Sequence, residues 1–142
     1  MEELPARVLI SSVVVDTHTV IWYIFNDPKL SKLASIALEA ASLHGDPIYV
    51  PSICLVEMTY LVEKGRIPLV ALERVSAAVI GMNNGFLLAP LDEGVAMSTR
   101  KIKRASVPDM PDRIIAATAL SLGLPLVTRD GHIRASGIQT IW

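Results

Sequence analysis

The stretch SVVVDTHTVIWYI, residues 12 to 24, begins with an apolar run that ends at a carboxylate and continues with apolar residues at helical spacing. Its three valines, Val13–Val15, indicate a strand buried on both faces, as in a parallel sheet. Asp16 stands at the carboxyl end of that strand, where it can cap the next helix or face the crevice in which open α/β sheets bind ligands. Thr17 is the alternative cap, and we expect it to leave Asp16 free as a ligand.

The same alternation of apolar runs and helical patterns continues along the chain. Strands are predicted at residues 13–15, 48–50, 86–89, 126–128 and 138–141, and helices at 17–25, 31–43, 53–64, 69–82, 93–104 and 112–122. Candidate N-caps are Ser31, Ser52 and Asp92, and turns are predicted at 44–47 and 83–85. Apolar strands that alternate with helices predict one domain, residues 1–142, built as a three-layer α/β/α sandwich around a parallel sheet of about five strands.

Composition limits the class of protein. The 142 residues, 51% of them hydrophobic, suffice for one domain with its own core, and the net charge of −1 provides no global basic field for nucleic acid. The single cysteine, Cys54, excludes an intramolecular disulfide. No uninterrupted apolar segment reaches the roughly 18 residues of a membrane span. Since residues 1–11 also lack the pattern of a secretory signal, we expect a cytoplasmic protein with an N-terminal extension of unknown role.

Four carboxylates occupy positions that a solvated surface does not explain. Asp16 and Asp130 end predicted strands. Glu57 lies in an almost wholly apolar helix, and Asp112 opens the helix before the strand that carries Asp130. Three of them have a simpler alternative: a cap for Asp16, a turn for Asp130, and solvent or an arginine partner for Glu57. Asp109 can cap the helix that Asp112 opens.

Together these four carboxylates predict a metal site at the carboxyl edge of the sheet. Carboxylates a few ångströms apart repel by roughly 1–4 kcal/mol per pair, so such a cluster stays ionised only beside a cation. An all-oxygen set favours Mg²⁺ or Mn²⁺. Zinc is disfavoured because His18, His44 and His132 have no paired ligand spacing. We therefore expect one or two divalent ions.

Four stretches carry a family resemblance: VVVDTHTVIWYI, VPSICLVEMTYLVEKGRI, DMPDRIIAATALSLGLPLVTRD and GIQTIW. In this order they resemble the PIN-domain family, in particular its VapC-like toxin group, over about residues 12 to 142. The resemblance implies a parallel α/β/α fold and an Mg²⁺- or Mn²⁺-dependent endoribonuclease that leaves 3′-hydroxyl and 5′-phosphate ends. It also implies an RNA substrate, a cognate antitoxin protein and a homodimer.

The resemblance assigns site residues by position. The family's catalytic and metal-binding carboxylates match Asp16, Glu57, Asp112 and Asp130. Asp109 matches a further metal-binding position of a subgroup, although the loop at Asp109 departs from that subgroup at Met110 and Pro111.

Four further residues are supporting candidates. Thr17 and Thr128 match polar neighbours of the family's site. Arg113 and Arg129 each adjoin a proposed ligand and are the candidates for contact with RNA phosphates, since a guanidinium can donate two parallel hydrogen bonds to a phosphate.

Other functions stay open. A PIN-fold module could bind RNA or protein without cleavage, although the intact acidic set argues against it, and a PIN nuclease of RNA processing would have no antitoxin. A phosphatase of the haloacid-dehalogenase type requires D-x-D, whereas residues 16–18 are Asp-Thr-His. The aromatic candidates for a partner surface are Trp22, Tyr23, Phe25 and Trp142, with burial in the core as the alternative.

Overall fold

The computed structural model describes residues 11–81 and 84–142 of this chain. Most of the predicted extension at 1–11, and Met82 and Asn83 at the end of a predicted helix and the start of a predicted turn, lie outside them. Within them one sheet has the strand order β3-β2-β1-β4-β5, with every pairing parallel. The strands are β1 Val13–Val15, β2 Ile48–Pro51, β3 Phe86–Ala89, β4 Leu126–Val127 and β5 Thr140–Ile141. The predicted fold class, a parallel five-stranded α/β architecture, is confirmed.

Helices connect and cover these strands. They are α1 Thr17–Ile24, α2 Lys32–His44, α3 Ser52–Glu63, α4 Leu69–Ile80, α5 Glu93–Ser98, α6 Met110–Leu122 and α7 Gly131–Arg134. Two differ from prediction: the helix expected at 93–104 becomes a 3₁₀ turn at Thr99–Lys101, and α7 was not predicted. Among the described residues, no helix combines the length and the apolar character that a bilayer crossing demands.

Helix caps show where local chemistry decides the structure. Ser31 and Asp92 both accept a backbone N–H three residues further on, as predicted. Ser52 was expected to cap α3, and this is wrong. Ser52 is already helical, and its hydroxyl accepts the N–H of Leu91 at 3.0 Å. A tertiary contact therefore uses the oxygen that a cap would need.

The core lies on the central strands and is closed by apolar helix faces. Val14 and Val15 of β1 are fully buried. Ala34, Leu38 and Ala41 of α2 are buried in the same core. The burial on both faces that the apolar sequence of β1 indicates does not extend to β3, where Leu87 is 48% and Leu88 41% exposed. β3 is an edge strand, so it has a neighbour on one side only.

The sheet register determines where the polar residues meet. Val15 of β1 pairs with Val127 of β4, and the N–H of Asp16 donates to the carbonyl of Val127 at 3.1 Å. The residues after these two strands therefore lie side by side, at the carboxyl edge. Helix α3, which carries Glu57, packs against α6, which carries Asp112. These two acidic side chains therefore lie near the same edge.

Candidate metal centre

Asp16 caps α1 and also lines the acidic cavity. Its backbone is extended (φ −78°, ψ 165°) and it is the N-cap of α1, with Oδ1 accepting the N–H of Thr17 at 2.7 Å. Its Oδ2 accepts the hydroxyl of Thr128 at 2.5 Å. The prediction that Thr17 is the cap is wrong, because Thr17 is the first helical residue. One carboxylate oxygen caps the helix while the carboxylate still lines the acidic cavity.

Glu57 is held from across the chain. The hydroxyl of Thr17 donates to its Oε1 at 2.6 Å. Glu57 lies on α3 and is half-buried, whereas Thr17 is buried almost completely. The two threonines singled out from the sequence thus lie next to acidic residues: Thr17 orients Glu57, and Thr128 orients Asp16.

Asp109 and Asp112 divide their functions at the start of α6. Asp109 is the exposed N-cap, and its Oδ2 accepts the N–H of Asp112 at 3.2 Å. Proline follows in the first turn of the helix, where the missing N–H has no cost. The side chain of Asp112 is half-buried and turns into the site. The simpler explanation of Asp109, a cap, is therefore correct as far as its hydrogen bond shows.

Three carboxylates form a compact group. Asp16, Glu57 and Asp112 each offer an oxygen, and these oxygens all lie within 4.8 Å of one another. Asp130 and Asp109 stand outside that group but line the same cavity, which has a volume of about 310 Å³. Asp130 is the N-cap of α7 and accepts the N–H three residues on at 2.9 Å. All five acidic candidates thus line one cavity, and three of them have oxygens within 4.8 Å of one another.

Burial and like charge make the group expensive to ionise. Burial, reinforced by the charges of the surrounding carboxylates, raises the pKa of Asp112 to about 7. Burial also raises the pKa of Asp16, against the opposing hydrogen bond from Thr128. Burial raises the pKa of Glu57 in the same way, against the hydrogen bond from Thr17. A cation placed among these oxygens would remove this penalty.

The donor set matches a hard divalent cation. All three clustered donors are carboxylate oxygens, the ligand type that Mg²⁺ and Mn²⁺ prefer. His18 lines the cavity but is not part of the clustered group. Cys54 lies fully buried nearby, and burial raises the pKa of its thiol well above the usual value, so it is an unsuitable metal ligand. The residues present therefore fit an oxygen-ligated divalent ion.

The two candidate arginines have different surroundings. Arg129 lines the acidic cavity and is exposed, with Cζ 4.6 Å from the centroid of the Trp22 ring. Arg113 instead donates from Nε to the carbonyl of Ile102 at 2.7 Å and from Nη2 to that of Thr99 at 3.0 Å. It holds the segment before α6 and does not line the acidic cavity. The structure brings Arg129 to the site and leaves Arg113 outside it.

The aromatic side chains belong to the core, which is the alternative to a partner surface. Trp22 is only 8% exposed, and Tyr23, Phe25 and Trp142 pack against the buried cluster. Thr19 was not among the candidates from the sequence. Its buried hydroxyl donates to the carbonyl of Val127 at 2.8 Å, and the residue lines the cavity. Thr19 lies three residues before Trp22 on α1, so the two side chains share a helix face. This spacing was the indication available from the sequence.

Comparison with known proteins agrees with this geometry. A family model described as PIN domain matches residues 13–137. Ribonuclease VapC22 of Mycobacterium tuberculosis is 29% identical over 125 residues, which cover 88% of this chain and 92% of that protein. The DNA-bound VapBC structure from Salmonella typhimurium aligns with a TM-score of 0.62 and 28% identity, over 91% of this chain and 96% of that one. VapBC2 from Rickettsia felis, bound to a promoter DNA fragment, shares the fold with a TM-score of 0.67 at 15% identity, over 91% and 96% of the two chains.

Proposed function

Because this chain belongs to the PIN-domain family, we propose that it is a metal-dependent endoribonuclease and the toxin of a VapBC-type toxin–antitoxin pair. One observation carries the proposal: Asp16, Glu57 and Asp112 place carboxylate oxygens within 4.8 Å of one another at the carboxyl edge of the sheet. Similarity to Ribonuclease VapC22 over 88% of the chain supports RNA as the substrate.

Asp16, Glu57 and Asp112 would hold one or two Mg²⁺ or Mn²⁺ ions, with Asp130 and Asp109 as the remaining carboxylates of the cavity wall. Such an ion supplies Lewis acidity and a bound water of lowered pKa, the chemistry that phosphodiester hydrolysis needs. Because burial raises the pKa of Asp112 to about 7, metal binding near neutral pH is coupled to loss of a proton from this carboxyl.

The remaining site residues would orient the carboxylates or contact a phosphate of the RNA. Thr17 and Thr128 fix one oxygen each of Glu57 and Asp16, so the ligand positions are set by buried hydroxyls. Arg129 has an exposed guanidinium at the cavity and can donate two hydrogen bonds to a phosphate that enters it. The acidic group thus has one cationic neighbour to offset its repulsion of RNA.

An antitoxin partner is supported by apolar surface beside the acidic group. Exposed Val56, Tyr60 and Met110 line a cavity of about 370 Å³ that shares Glu57 and Asp109 with the acidic cavity. Exposed apolar surface of this kind marks protein contacts, and the structures similar to this chain include VapBC complexes.

Further parts of the proposal concern organisation. A homodimer is supported by the exposed apolar residues of α2, which include Leu33 and Leu43. One PIN domain across 1–142, with an extension at 1–11, is supported by the match over 13–137. A cytoplasmic location is the expectation for a VapC-type toxin.

The test is RNA cleavage by the purified chain in Mg²⁺, Mn²⁺ or EDTA. We expect cleavage with either metal, none in EDTA, and fragments with 5′-phosphate and 3′-hydroxyl ends. Single-stranded DNA of the same sequence is the control substrate. Tight binding of RNA without cleavage in any metal would favour a non-cleaving module instead.

A further inference from the structure

A second cavity adjoins the acidic one. It has a volume of about 550 Å³, within the roughly 300–1,000 Å³ that ligand sites occupy. The two cavities share His18, Trp22 and Arg129 in their walls and therefore lie next to each other. Whatever binds at the carboxylates can therefore extend into this second cavity.

The charge of the second cavity is opposite to that of the first. Its cationic lining residues are Lys29, Arg66 and Arg129, and its acidic one is Asp27. Lys29 Nζ lies 3.6 Å from Asp27 Oδ2, so these two charges offset each other. Within residues 11–81 and 84–142, neither Arg66 nor Arg129 has a carboxylate at ion-pair distance. The cavity therefore presents two exposed guanidinium groups to a ligand, which suits a polyanion.

An aromatic ring lies against one of the two guanidinium groups, that of Arg129. Arg129 Cζ lies 4.6 Å from the Trp22 ring centroid, and Trp22 packs in turn against Trp142 with centroids 6.0 Å apart. Phe25 also lines the cavity, and the Cζ of Arg74, which is not a lining residue, lies 4.3 Å from its ring centroid. A guanidinium beside an aromatic ring is held by a cation–π interaction, and its N–H groups can still donate to a phosphate.

We propose that this second cavity binds the nucleotide that flanks the scissile phosphodiester of single-stranded RNA, an assignment that rests on the proposed ribonuclease function. A phosphodiester at the acidic group requires its flanking nucleotides to leave along the adjoining surfaces. Of these, the cavity with Arg66 and Arg129 supplies cationic N–H donors and the aromatic side chains of Trp22 and Phe25 in its wall, and both features recur in single-strand binding.

The cavity lined by Val56, Tyr60 and Met110 also adjoins the acidic group, but its chemistry does not suit RNA. It is lined mainly by apolar side chains of α3 and the start of α6, with Lys64 as its cation and Glu57 and Asp109 as its acidic groups. It suits an apolar protein segment, as proposed for the antitoxin. RNA and the protein partner are thus assigned to two different cavities that adjoin the carboxylates.

The experiment measures RNA binding without cleavage. A fluorescein-labelled RNA octamer of random sequence is titrated in EDTA by anisotropy, at several salt concentrations, with wild type, Arg66→Gln, Arg66→Glu and Arg100→Gln. Arg100 is an exposed arginine that lines neither cavity and is the matched control. We expect Arg66→Gln to weaken binding about three- to tenfold and to reduce the slope of log affinity against log salt by about 0.7, and Arg66→Glu to weaken it further. Arg100→Gln should match wild type.

The outcomes separate this proposal from the proposed function. Equal affinities and salt slopes for Arg66→Gln and Arg100→Gln, or no octamer binding by wild type, would overturn the cavity assignment even if the protein cleaves RNA. Equal, Arg66-dependent binding of a DNA octamer would overturn RNA as the occupant. If wild type binds the RNA octamer through Arg66 but never cleaves RNA in Mn²⁺, the ribonuclease proposal fails and the cavity no longer lies beside a scissile bond, although single-stranded RNA is still supported as its occupant.

Discussion

Thr17 donates its hydroxyl proton to Oε1 of Glu57 at 2.6 Å and thereby ties the first turn of α1 to α3. The matching bond from Thr128 to Asp16, at 2.5 Å, joins residues that are 112 positions apart. Both hydroxyl residues are at most 1% exposed. The core holds both hydroxyl groups in place. Each of them holds one carboxylate oxygen, so Glu57 and Asp16, two of the three clustered carboxylates, are oriented before a cation binds.

Replacing Thr17 by Val should weaken metal binding without removing a ligand. The methyl group fills the same volume, but Glu57 loses the donor that orients it. We expect about a 10- to 100-fold loss in Mn²⁺ affinity, the usual effect of removing a group that orients a ligand. Calorimetric titration measures it, and Thr17→Ser, which keeps the hydroxyl, should stay near wild type. Wild-type affinity in Thr17→Val would show that the bond does not orient the site.

Metal affinity should rise with pH up to about 7. Burial and neighbouring charges raise the pKa of Asp112 to about 7, so below that pH a cation must displace its proton. Mn²⁺ affinity is then expected to increase up to about tenfold per pH unit between pH 5.5 and 7 and to level off above. Asp92→Asn, which alters a distant helix cap, should keep this dependence. A pH-independent affinity in wild type would contradict the raised pKa.

Without metal, stability should change with pH in the opposite sense. Asp112 has a pKa raised from 3.8 to about 7 in the folded protein, so between these values the folded state binds more protons than the unfolded state. Its contribution to the free energy of unfolding is therefore full near pH 4 and is lost as pH rises through 7. The side chain is only partly buried, so solvent screens its charge and reduces this contribution to roughly 1–2 kcal/mol.

Asp112→Asn reveals this contribution, because an amide does not titrate. In EDTA the variant should be more stable than wild type by about 1–2 kcal/mol at pH 8 and nearly equal at pH 4. Urea unfolding at both pH values measures the difference. A variant that is less stable than wild type at pH 8 would show that the ionised carboxyl is not strained by its surroundings.

The two arginines proposed from the sequence should separate in a stability measurement. Arg113→Gln removes donors from the carbonyls of Thr99 and Ile102 and should lower the free energy of unfolding by about 1–3 kcal/mol. Arg129→Gln loses only a contact with Trp22 on the exposed side, about 0.5–1 kcal/mol. Urea midpoints of the two variants test the order, and equal losses would refute it.

The sheet and the positions of the acidic residues could be predicted because local patterns determine them. Apolar runs separated by helical spacing allow few arrangements other than a parallel sheet, and in such a sheet Asp16 and Asp130 must end at the same edge. The choice between cap and ligand for Asp16 could not be made from sequence, because its two oxygens have different partners.

Contacts between distant segments account for the wrong predictions. Ser52 fails as a cap because Leu91, from another part of the chain, uses its hydroxyl. Arg113 lies next to Asp112 in sequence, yet its guanidinium turns back to the segment before α6. Helix α7 was missed for a different reason. It has only four residues, which are too few for a periodic pattern to appear.

The central claim is that the clustered carboxylates support metal-dependent cleavage of RNA. The most direct measurement is the rate of RNA cleavage in Mn²⁺ by wild type, Asp112→Asn and the charge-matched control Asp92→Asn. We predict that Asp112→Asn cleaves at a rate lower by on the order of 100-fold or more, while Asp92→Asn stays close to wild type. Cleavage by Asp112→Asn at the wild-type rate, still dependent on Mn²⁺, would contradict the assignment.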